Sequence, residues 1–83
     1  MATDRERLAE EFLDLAARLE GLHQLKPKNV VDPVRLKRWQ KQHGKEVHKI
    51  LANRAALAKE PAVVSKDELK QWIAEARSAL TAI

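Results

Sequence analysis

Apolar residues recur at steps of three and four in three stretches of the chain, and each stretch is framed by residues that start or stop helices. In the first, Leu8, Phe12, Leu15, Leu19 and Leu22 fall on one helical stripe, widened by Ala9, Leu13 and Ala16. Thr3 and Glu6 have capping-box spacing, which places the helix start near residue 4. The helix ends at Gly21 or runs on to about Gln24, because in Lys26-Pro27 the residue before proline avoids the α region.

The second stretch opens at Asp32-Pro33. The aspartate can accept from a free amide of the first turn, and proline at N1 loses no hydrogen bond. Val31 and Leu36 occupy the positions of a hydrophobic staple. The predicted seam is Leu36, Trp39, His43, Val47, Ile50, Leu51, Leu57 and Ala58, with Glu60-Pro61 as the stop. The half from Ile50 to Ala58 is almost all apolar and reads as the buried end. Gly44 costs about 1 kcal/mol relative to alanine within a helix. Since no convincing N-cap follows it, one continuous helix is expected.

Ser65 and Glu68 form a second capping box, with Val64 and Leu69 as its staple. The third helix is expected to bury Leu69, Trp72, Ile73, Ala76, Leu80 and Ile83. Helices over about 4–24, 33–59 and 66–82, joined by short linkers, predict one all-α domain over residues 1–83. The architecture is a three-helix antiparallel bundle with a long central second helix. No repeat or low-complexity segment interrupts it.

Composition agrees: 45% hydrophobic and 34% charged residues, with 2 Gly and 3 Pro among 83, suit long helices and few turns. The absence of cysteine rules out disulfides and thiol chemistry and suits a reducing compartment. The stretch MATDRERLAEEF has neither the basic start nor the apolar run of a secretory signal. With no run near the length of a membrane span, a cytoplasmic protein without membrane contact is expected.

Charge changes the picture more than composition does. Residues 1–25 hold three Arg/Lys against six Asp/Glu, residues 26–49 eight against two, and residues 50–83 five against four. Arg35, Arg38, Lys41 or Gln42, Lys45 and Lys49 recur every three or four residues and line one face of the second helix. In an antiparallel hairpin that face lies beside the end of the first helix, where Glu20 is the one acid. Such a face neutralises phosphates, and Trp39 beside Arg38 and Lys41 is a candidate for stacking on a base or cation. Gln40, Gln42 and His43 add polar groups.

The expected partner is therefore nucleic acid or another polyanion. An acidic protein surface is the alternative, including a homodimer in which the face meets the acidic first helix of a second copy. An assembly module docking through apolar helix surface is a further reading of that class, and a plain solvated face is the simplest one.

The segment Ala58–Ile73 resembles the last two helices of a helix-turn-helix reader, but Ala62 stands where the turn glycine belongs. Asp67 and Glu68 would also lead the recognition helix. The run His48-Lys49-Ile50-Leu51-Ala52 resembles the acceptor helix of histidine-phosphotransfer domains, with the lysine misplaced and the glycine missing. His43, Glu46 and His23 do not make a recognised metal site. No phosphate loop, Ser/His/Asp order or isolated carboxylate pair is present, so neither an enzyme nor a cofactor is expected. A designed bundle carrying one reactive side chain in a cavity is the remaining alternative.

Overall fold

The computed structural model describes residues 3–83. Its helices are α1 (Asp4–Gln24), α2 (Pro33–Lys59) and α3 (Lys66–Thr81), with a 3-10 turn at Pro27–Asn29. Each start is set by the side chain the pattern names. Thr3 Oγ1 accepts from the Glu6 amide at 3.1 Å, Asp32 Oδ1 from Arg35 at 3.0 Å, and Ser65 Oγ from Glu68 at 3.1 Å. Each satisfies one of the amides that a helix start leaves without a partner. Gly21 does not stop α1, which runs on to Gln24 with Leu25 as its C-cap.

α1 and α3 run parallel, with α2 antiparallel to both. Asp4 and Lys66 pair at one end at 3.4 Å, and the Phe12 and Trp72 rings meet midway at 5.4 Å. At the other end Trp39 Nε1 donates to the Ala79 carbonyl at 2.8 Å. The 27 residues of α2 span about 40 Å at 1.5 Å per residue, the long axis of a molecule measuring 41 × 24 × 18 Å. Trp39 lies two turns into α2 yet already meets the last turn of α3. The first turns of α2 therefore have the end of α1 and the 3-10 turn as neighbours.

The core is one cluster, with Phe12, Leu19, Val47, Ile50 and Leu69 its largest fully buried side chains. Trp72, Leu80 and Ile83 pack half-buried against it, and Ala79, outside the expected set, is fully buried. Both members of the Val64/Leu69 staple are buried.

Three expectations are corrected. Val31 is fully exposed, and Val30 packs on the core in its place; the backbone at Asp32 (φ −122°, ψ 82°) turns the chain there. Leu13 lies on the outer face of α1 and is exposed. Ala52, Ala55, Ala56 and Ala58 are all exposed, and only Ile50 and Leu57 of that half are buried. At about 100° per residue these four alanines spread over about 160° on the side of α2 away from Ile50 and Leu57; they favour helix without burying much surface.

Two side chains tie the loops to the bundle. Gln40 Nε2 donates to the end of α1, lying 2.9, 3.2 and 2.9 Å from the carbonyls of Leu22, His23 and Leu25. Arg5 does the same for the α2–α3 connection. Its Nε donates to the Val64 carbonyl at 3.0 Å, and its terminal nitrogen donates to the Pro61 and Val64 carbonyls. In each case a charged or amide donor caps carbonyls that no backbone amide reaches.

Candidate nucleic-acid interface

The basic residues of α2 are positioned by what the opposite side of that helix buries. Leu36, Trp39, Val47 and Ile50 face α1 and α3, so positions about half a turn away point outward. Arg35, Lys37, Arg38, Lys41, Gln42, Lys45 and Lys49 are all exposed. From Arg35 to Lys49 the stripe runs about 21 Å.

The arrangement of the acids explains why this charge stays unneutralised. Asp32 caps α2 through the Arg35 amide, and Glu20, in the last turns of α1, is held by Arg54 at 2.5 Å. Glu46, the acid within the stripe, lies 3.1 Å from His43 Nδ1. Glu11 pairs with Arg77, and Asp4 lies near Arg7 and Lys66. Asp67 and Glu68 sit in the first turn of α3, at the far end of the molecule. Lys49 alone of the stripe has a partner, Glu75 at 3.6 Å. Among the described residues Arg35, Lys37, Arg38, Lys41 and Lys45 form no ion pair. Lys26 and Lys28 are exposed on the segment that packs beside the start of α2, and they extend the positive end. Neither is in the expected stripe, although both belong to the same basic block of sequence.

Two residues leave the expected site. Trp39 is 2% exposed, and its indole N–H is committed to Ala79, so it can neither stack on a base nor receive a cation. It falls on the seam, and the packing demand there outweighs its position between two cations. Gln40 is likewise committed, holding the end of α1. Gln42 is exposed among the cations.

The histidines divide between two places. His43 packs its ring 6.1 Å from that of Trp39, while His23 meets His48 edge-on at 5.5 Å across the α1–α2 contact. Among the described residues no group of three or more His, Asp or Glu is arranged to hold a metal ion. A groove of about 460 Å³ runs between α2 and α3 beside the stripe, lined by Glu46, Lys49, Ile50, Ala74, Glu75 and Ser78. Among the described residues no polar or charged residue is buried, so the groove acids face water. No helix among those residues is long and apolar enough to cross a membrane.

These features define an all-α bundle with one strongly basic outer helix face. Compared with protein-family models, curated proteins and solved structures, the chain matches none.

Proposed function

We propose that the protein is a small binding module that holds nucleic acid through the outer face of α2. The observation that carries this reading is the set of five exposed cations, Arg35, Lys37, Arg38, Lys41 and Lys45, with no ion-pair partner among the described residues. Fixed on one rigid helix, they repel one another and gain most from a ligand of regularly spaced negative charge. Neutralised phosphates release their counterions, which supplies the driving force. A chain with no cysteine and such a ligand suits the cytoplasm.

A second reading rests on the outer face of α1, where Glu6, Glu10 and Asp14 are exposed around Leu13, which is 39% exposed. That face is complementary in charge to the α2 stripe of a second copy.

Fluorescence anisotropy with a labelled oligonucleotide at low salt tests the first reading, using the wild type and the triple variant Arg38→Ala/Lys41→Ala/Lys45→Ala. Tight binding that the triple variant loses is expected. A wild type that binds no oligonucleotide rejects it. A sedimentation run then tests the second reading: a dimer that falls to monomer in the triple variant and in Glu10→Gln/Asp14→Asn supports that assembly.

A further inference from the structure

Resting on the reading of α2 as a nucleic-acid surface, we infer that its ligand is B-form duplex DNA, with α2 lying in the major groove and its cations on the phosphates of both walls. The first support is what the stripe offers. Proteins that hold single strands combine a basic groove with aromatic platforms on which bases stack. This chain has one Phe, two Trp and no Tyr, and all three rings are engaged elsewhere. Phe12 and Trp39 are buried, and Trp72 packs half-buried against Phe12 on α3. His43 is half-buried against Trp39, and His48, though exposed, meets His23 edge-on. The stripe is thus a convex crest of charge and one amide, with one exposed imidazole beside it and no Phe, Tyr or Trp face for a splayed base.

The second support is how the cations are distributed round the helix. At about 100° per residue, Arg38 and Lys45 crown the crest, Lys37 and Lys41 fall on one flank, and Arg35 and Gln42 on the other. A helix is about 10–12 Å across, and the major groove of B-DNA is about 12 Å wide. A helix lying there meets phosphates on both sides, which a single strand does not supply. The major groove of A-form RNA is too narrow to admit it. The first turns of α2 also stand clear of α3, since Trp39 already meets its last turn, so the flank cations there are unobstructed by that helix.

The test compares three 20-nucleotide ligands of one sequence by anisotropy: DNA duplex, DNA single strand and RNA duplex. The DNA duplex is expected to bind at least tenfold tighter than either of the others. Lys41→Ala and Arg35→Ala, taken from opposite flanks, should each weaken duplex binding by a few-fold with unchanged melting curves. Equal or tighter binding of the single strand or the RNA duplex overturns the inference while leaving the polyanion reading standing. So does loss confined to one flank. Failure to bind any of the three overturns both.

Discussion

Replacing Gly44 by alanine should stabilise this protein. Gly44 lies in the middle of α2, where the helix runs without a break from Pro33 to Lys59 and no glycine among the described residues has positive φ. Its backbone therefore asks for nothing that alanine cannot supply. A methyl group built there meets His23 Cε1 at 3.8 Å, an ordinary van der Waals contact, and no other atom within 4 Å outside its own stretch of helix. The gain is the difference in helix propensity, about 0.8–1.0 kcal/mol. At about 2.1 cal/mol/K per residue, unfolding 83 residues carries an entropy of roughly 170 cal/mol/K. The melting temperature should then rise by about 5 °C. Thermal melts followed by circular dichroism at 222 nm measure this directly. A variant that melts at or below the wild-type temperature would mean that α2 bends at Gly44, and the line of the basic stripe would have to be redrawn.

Ile50→Ala and Leu57→Ala each empty a buried position and should cost about 2–5 kcal/mol, enough to unfold a bundle of this size; chemical denaturation reads the loss. Trp39→Phe removes the donor to the Ala79 carbonyl and should lower stability by about 1–3 kcal/mol, while DNA affinity measured on the folded variant stays unchanged. A drop in affinity there would place the indole at the interface after all. Ser65→Ala should cost about 1 kcal/mol through loss of the α3 cap, and an unchanged melt would mean the cap contributes nothing.

The helices were legible because their signals are local. Thr3, Asp32 and Ser65 act within one turn of themselves, and the stripe containing Phe12, Leu19, Val47 and Ile50 repeats with the helical period. Which way a residue points at an edge of the stripe depends on neighbours that are distant in sequence. Periodicity alone misplaces Leu13, Val31 and the alanines of α2 for that reason. Arg5 and Gln40 were missed as loop ties because their acceptors are 15 to 59 residues away. The basic block was plain as a cluster of charge. Its freedom from ion pairs was legible only in part. Glu20 was visible as the one acid at the end of the first helix, but its capture by Arg54 and the Lys49–Glu75 pair depend on how three helices pack.

On this reading exposed cations on α2 hold phosphates. The most direct measurement is the salt dependence of duplex DNA binding in the wild type and in Arg38→Ala/Lys41→Ala/Lys45→Ala. Each phosphate contact contributes about 0.9 to the slope of log affinity against log salt, so losing three should flatten that slope by about 2.7. The fold should persist, because none of the three residues forms an ion pair among the described residues and all are exposed. A folded triple variant that binds DNA with the wild-type slope would contradict the account.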